Sequence, residues 1–374
     1  MSIEYKKLDQ VCEILDSRRI PITASDRKSG IYPYFGANGL QDYVDDYIFD
    51  DELVLLAEDG GNFGSKDRPI AYRVSGKCWV NNHAHVLKAK DEINIDYLCY
   101  SLMFYNTNGL VNGATRQKLT QAAMRQMLIP VRSMPEQLQI VKRIRSIFDL
   151  INDRTSELLL LDQLVKSRFI EMFGDPRINP KGYDIVSISS LFDVGSSKRV
   201  FESEWRESGV PFYRAREIVK LSKDGYVDNE LFIEEEMYEA YKAKYGVPKA
   251  GDLMVTGVGT LGVCYIVKET DRFYFKDGNT LWFKNKGLCD VRFIKDQYDT
   301  DFVKEQITAN ANVSTVGTYT ITNANNTLVL LPSLAEQEQY VEFCKQVDKS
   351  KFEIQKSLDE LEILKKSLMQ QYFG

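Results

Sequence analysis

From Glu136 to Gly174 the chain runs without proline or internal glycine, and its apolar residues recur at alternating steps of four and three. They are Ile140, Ile144, Ile147, Ile151, Leu158, Leu161, Val165 and Met172, interrupted only by Arg154 and Arg168. An a/d seam of this kind belongs to a helix that packs along one long stripe. Pro135 is suited to the start of such a helix, and Gly174-Asp175-Pro176 to its end. At about 1.5 Å per residue the helix is roughly 58 Å long, more than a small core needs.

The stretch occurs twice. Shifted by 200, Glu336–Gly374 aligns without a gap, and 11 of 39 positions are identical, among them Glu136/Glu336, Gln137/Gln337, Leu158/Leu358, Leu161/Leu361 and Phe173/Phe373. The second seam keeps step through Tyr340, Cys344, Val347, Ile354, Leu358, Leu361, Leu368 and Tyr372, with Lys351 and Lys365 in place of Ile151 and Val165. A period near 200 describes a duplicated unit of one domain plus one helix, not a solenoid. The two stripes are expected to pack against each other as a coiled coil. Its seam is Ile140, Ile144, Ile147, Ile151, Leu158 and Leu161 on one helix and Val347, Ile354, Leu358, Leu361 and Leu368 on the other.

Ahead of each helix lies a mixed α/β segment, giving an α+β chain divided as 1–134, 135–174, 175–334 and 335–374. The first segment alternates short apolar runs with glycine. These are Tyr32–Gly36, Tyr43–Phe49, Leu53–Leu56, Ile70–Val74 and Cys78–Val80, with a marked turn at Asp59–Gly64 and a helical pattern over 96–108. Leu191–Val194 answers Val11–Ile14, Ser197-Lys198-Arg199 answers Ser17-Arg18-Arg19, and Gly317–Thr322 answers Gly113–Thr120. Between these anchors the two segments share little sequence, as if one scaffold carried two different heads.

Composition narrows the chemistry. The net charge of −6 argues against general nucleic-acid affinity. Locally, however, residues 42–59 hold acids and no base, while 97–135 hold Arg116, Lys118, Arg125 and Arg132 and no acid. One face can therefore still steer phosphate. No apolar run reaches membrane length and no export signal opens the chain, so it is expected to be cytoplasmic. Its six scattered cysteines read as reduced thiols. Gly257–Gly262 spells GxGxxG, but a strand-like Val263–Val267 follows where a dinucleotide site needs a helix, so a strand–turn–strand loop is expected. His83 and His85 alternate near Cys78 without a second ligand pair at zinc spacing, and no metal site is assigned. No P-loop, no Asn-Pro-Pro motif and no serine–histidine–acid set is present; the chain is read as non-catalytic.

Recognition remains. Arg116, Gln117 and Lys118 share a loop with small residues; arginine and lysine suit phosphate or guanine edges, and glutamine suits adenine. The matching loop offers Thr318 and Tyr319, with phosphate grip left to Lys198, Arg199, Arg214 and Arg216. Arg18, Arg19, Asn62, Lys66, Asn82, His83, Thr260 and Asn279 complete the candidate DNA-binding set.

Taken in order, Pro135–Ile140, its echo Ala335–Gln339, Phe173–Pro176 with Asn179–Tyr183, Tyr32–Gly39 and Trp79–His85 give a chain that resembles, over its whole length, the specificity subunits of type I restriction–modification enzymes. That resemblance implies two target recognition domains related by a pseudo-twofold and held apart by two long helices that pair as an antiparallel coiled coil, each domain reading half of a bipartite double-stranded DNA target. The helices act as ruler for the unread gap and dock two methyltransferase subunits, which restriction/translocase subunits join. It also implies no cofactor on this chain, with S-adenosylmethionine, ATP and Mg expected on the partners. It does not give the sequence read. The alternatives are a coiled-coil scaffold joining two non-DNA partners and a stand-alone DNA-modifying enzyme.

Overall fold

The computed structural model describes residues 3–113, 116–228, 230–311 and 317–374. Contacts divide the chain into two compact units, Met1–Leu158 with Glu353–Gly374, and Leu159–Phe352. The long helices straddle both units.

In the first unit β1 (Glu4–Lys7), α1 (Leu8–Val11) and β2 (Cys12–Ile14) lead into β3 (Ser29–Gly36), β4 (Gly39–Val44), β5 (Phe49–Ala57), β6 (Ala71–Val80) and β7 (Ala84–Ala89). The sheet order is β2-β7-β5-β6-β3-β4, antiparallel except for β3 beside β6. The run Leu53–Ala57 reads as continuously apolar because β5 lies inside the sheet. Val54 and Leu56 face the core that contains Leu8 and Ile140; Leu53 and Leu55 face a second layer with Phe49 and Val74. The two runs expected at 70–74 and 78–80 are one strand, β6, which passes Gly76 at φ +75°. Helix α2 (Ile95–Met103) begins on Asn94, whose side chain accepts from the Asp96 and Tyr97 N–H groups, and it stops five residues short of the expected end. Then come β8 (Val111–Asn112), β9 (Lys118–Leu119), α3 (Gln121–Arg125) and β10 (Leu128–Val131), which returns to pair with β1.

Helix α4 (Met134–Phe173) starts one residue before Pro135, on Ser133, whose N–H and hydroxyl both donate to Glu136. Ser333 and Glu336 repeat this cap at α11 (Leu334–Phe373). Gly174, at φ +78°, closes α4.

The second unit repeats the plan: β11 (Asp184–Ser187), α5 (Ile188–Leu191), β12 (Phe192–Gly195), β13 (Val210–Tyr213), α6 (Ala215–Asp224), β14 (Phe232–Ile233), α7 (Glu235–Tyr245), β15 (Leu253–Thr256), β16 (Cys264–Ile266), β17 (Tyr274–Phe275), β18 (Thr280–Asn285), α8 (Val291–Gln297), α9 (Asp301–Ala311), α10 (Ile321–Asn326) and β19 (Leu328–Leu331). The order β12-β18-β15-β16 matches β2-β7-β5-β6, and β11–β19 matches β1–β10 in register. β13 beside β17 repeats the parallel pairing of β3 with β6. The topology is therefore shared where the sequence had seemed to diverge.

Each unit is built around pieces of both helices. In the first, Phe373 packs edge-on to Tyr97 at 5.1 Å, Arg143 donates to the Tyr372 hydroxyl and Lys365 lies over Phe148. In the second, Phe173 packs on Phe293 at 4.9 Å and on Tyr340, and Lys351 pairs with Asp162. In the first unit low numbers on α4 meet high numbers on α11, and in the second high numbers on α4 meet low numbers on α11, the antiparallel sense in each. The expected seam residues are buried (Ile140, Ile144, Val347) or half-buried (Ile147, Ile151, Leu158, Leu161, Ile354, Leu358, Leu361, Leu368), while Leu159, Leu160, Ile363 and Leu364 are exposed.

A further repeat lies at the helix starts. Gln137 and Gln337 are fully buried. Gln137 accepts from the Asn94 N–H (2.8 Å) and donates to the Glu92 (3.0 Å) and Arg132 (2.8 Å) carbonyls. Gln337 accepts from the Asp290 N–H (2.9 Å) and donates to the Pro332 carbonyl (2.8 Å). Each glutamine ties its long helix to the first turn of the domain helix beside it.

Candidate nucleic-acid interface

Several candidates of the first unit converge where β5 ends and β7 begins. The Glu58 N–H donates to the His83 carbonyl (2.8 Å), and the Leu119 N–H donates to the Glu58 carbonyl (2.7 Å). The loop entering β9 is thereby fastened across the strand exit. Its side chains form two layers. Beneath are Asp16, Glu58 and Asp59, whose side chains are 4%, 13% and 16% exposed. Above are His83, Lys118 and Arg116, at 36%, 49% and 61%. Arg116 donates to Asp59 (2.5 Å), His83 Nδ1 meets the same oxygen (2.7 Å), and Lys118 pairs with Glu58 (3.0 Å). Gln117 is exposed, and its carbonyl accepts from the Gly60 N–H.

The floor is held by charge. Burial works to raise the Glu58 carboxyl, but hydrogen bonds from Arg19 and Lys118 outweigh it and hold the group below its ordinary value. Asp16 behaves likewise, with His85, Val86 and Gln121 as its donors. Asp16, Glu58 and His85 lie close enough to ligate a cation. Their donor atoms are already used: Arg19 reaches both carboxylates, and the two His85 nitrogens meet Asp16 (2.7 Å) and the Leu119 carbonyl (2.9 Å). This is an ion-pair network in which the cation is a guanidinium. Arg19 is corrected accordingly: its side chain is 13% exposed and bonded to Glu58 and to two backbone carbonyls, so it supports the surface and does not form it.

Other candidates stand apart. Arg18 is exposed and lies over Phe49. Lys66 is exposed and Asn62 half-buried in the loop after Asp59–Gly60, and Asn82 is exposed just before His83. Ala114 and Thr115 of this loop, and Ser314–Val316 of its counterpart, lie outside the described residues.

The second unit builds the same junction from other residues. The Gly257 N–H donates to the Asn279 carbonyl (2.8 Å), and the Tyr319 N–H donates to the Gly257 carbonyl (2.9 Å). Gly257–Gly262 is the strand–turn–strand loop between β15 and β16, as expected. Thr260 is exposed, and Asn279 and Thr318 are half-buried. Tyr319 is corrected to a core residue: it is 1% exposed, its hydroxyl meets Tyr298 (3.1 Å) and Thr327 (2.6 Å), and burial pushes it up to about 12. Exposed Lys198 and Arg199 sit beside the β17–β18 turn, with Arg199 on Asp277 (2.9 Å). Arg214 and Arg216 open α6, both bonded to buried Glu217. Glu58, Asp59 and the two clamp glutamines were not singled out from sequence. The first two were hidden in an acidic run; the glutamines were visible as identities of the repeat without a stated role.

The profile of the type I restriction modification DNA specificity domain matches residues 2–160 and 180–363. A putative type I restriction enzyme specificity subunit of Haemophilus influenzae is 31% identical over 348 residues, 91% of this chain and 86% of that protein. A specificity subunit of Methanocaldococcus jannaschii is 22% identical across 98% of this chain and 91% of its own. Among solved structures, the S subunit of a type I system from M. genitalium superposes with a TM-score of 0.61 at 13% identity, covering 100% of this chain and 96% of that one. A chain from a study of type I complex assembly and conformational transition gives 0.56 at 14% identity, covering 99% and 97%. Among the described residues no helix is long and apolar enough to cross a membrane.

Proposed function

The chain belongs to the specificity subunits of type I restriction–modification systems, and on that premise we propose that each of its units reads one half of a bipartite DNA target while the helix pair sets the unread gap and docks two methyltransferase subunits. The observation that carries this reading is the duplication itself. Two units of one topology each combine a domain with pieces of both long helices, and each presents a loop closed across the exit of a central strand. Two like domains can meet two major-groove segments about one helical turn apart, roughly 34 Å.

The chain supplies recognition, and chemistry belongs to the partners. S-adenosylmethionine, ATP and Mg would bind the methyltransferase and restriction/translocase subunits. Reconstitution tests this: the purified chain should transfer no methyl group, and with its methyltransferase it should direct methylation to one split target. Methyl transfer by the chain alone, or methylation without sequence preference in the complex, would refute it.

A further inference from the structure

Two repeated features behave in opposite ways inside this one chain. The helix clamps keep their chemistry: a buried glutamine, a backbone N–H and a backbone carbonyl recur at Gln137 and Gln337. The strand-exit junction keeps only its backbone. Glu58 answers Gly257, Asp59 answers Val258, His83 answers Asn279 and Lys118 answers Thr318, although the matched hydrogen bonds agree within 0.2 Å, 2.8 against 2.8 Å and 2.7 against 2.9 Å. A junction serving only to brace the fold has no reason to exchange an ionic set for glycine, valine and amide. A surface serving two different targets does.

We propose that Arg116 is a base-reading residue of the first domain and that Asp59 is its positioning residue. Arginine reads guanine through its fork of donors, which must be held in one plane to be selective. An exposed arginine samples many rotamers; here Asp59, itself 16% exposed, engages one Arg116 nitrogen and His83 from the same oxygen. Arg116 Nη2 also lies 3.3 Å from His83 Nδ1, and among the described residues no hydrogen bond engages Nε or Nη1, the donors left to meet a base edge. Gly60 lies directly under the guanidinium at φ +63°, and a Cβ there would come within 3.4 Å of Arg116 Nε. That separation is ordinary van der Waals contact, so what calls for glycine here is the positive φ. The inference rests on the first domain being a DNA reader.

The test uses the chain assembled with its methyltransferase on a DNA library randomised at each position of both half-targets. Arg116→Gln and Asp59→Asn should relax the preference at the same position or two of one half-target by about tenfold or more, with the other half unchanged. A merely structural role for Asp59 would instead slow methylation of every target alike. Uniform slowing by Arg116→Gln would make it a phosphate grip and overturn the proposal, as would unchanged preference in both variants. Should Asp59→Asn unfold the domain, Arg116→Gln decides alone, since its side chain is exposed. If the parent complex methylates no split target, the underlying functional reading fails and not this assignment.

Discussion

Replacing Gln137 by methionine isolates what the clamp contributes. The two side chains are similar in length, so packing is nearly kept while every hydrogen bond is lost. Gln137 is fully buried and serves three backbone groups: the Asn94 N–H and the Glu92 and Arg132 carbonyls. A buried polar group left without a partner costs about 1–3 kcal/mol. The orphaned N–H takes the upper part of that range and the two carbonyls, each with a second lone pair, the lower part. The sum is about 3–5 kcal/mol. Gln337→Met strands two groups, the Asp290 N–H and the Pro332 carbonyl, and should cost about 2–4 kcal/mol. Because a chain of two units need not unfold in one step, amide hydrogen exchange is the assay. At about 1.4 kcal/mol per tenfold, Gln137→Met should raise exchange in the first turn of α2 by about a hundredfold to a few thousandfold and leave α8 alone; Gln337→Met should do the reverse with a smaller effect. Protection of the Asn94 and Tyr97 amides unchanged in Gln137→Met would refute the clamp.

Three further outcomes follow from the same geometry. Phe173→Ala removes a fully buried ring that meets Phe169, Phe293 and Tyr340, and should destabilise the second unit by about 3–5 kcal/mol in denaturant titration. Tyr319→Phe should cost about 1–2 kcal/mol for the lost hydroxyl contacts and leave the methylated sequence unchanged; an altered target would restore Tyr319 as a reader. The buried Cys12, Cys78, Cys99 and Cys289 thiols are pushed up to about 12 by burial, so at pH 8 they stay protonated and should resist alkylation until the protein is unfolded.

Much of the architecture was legible because it rests on periodicity. The heptad seam and the 200-residue shift specify two like helices, and the cap residues Ser133/Glu136 recur at Ser333/Glu336. The shared sheet topology was not legible. A strand such as β15, buried on both faces, requires only apolar residues, so Leu253–Val255 and Val54–Leu56 can serve one role without resembling each other. The candidate surface was legible in its cations and not in its acids. Arg116 and Lys118 stand out in a segment without acids, whereas Glu58 and Asp59 lie far off in sequence and reach them only through the register of β5, β7 and β9. Tyr319 misled because its neighbour Thr318 lies toward the surface while its own ring turns inward onto Tyr298.

The division of labour between heads and helices is tested most directly by mapping methylated sites across a genome. The parent is compared with a chain carrying four extra residues after Gln163 and four after Ile363. Each insertion lengthens its helix by about 6 Å, and B-DNA rises roughly 3.4 Å per base pair. The two half-sequences should stay as they were and the unread gap between them should grow by one to two base pairs. Half-sequences that change while the gap does not would contradict the account.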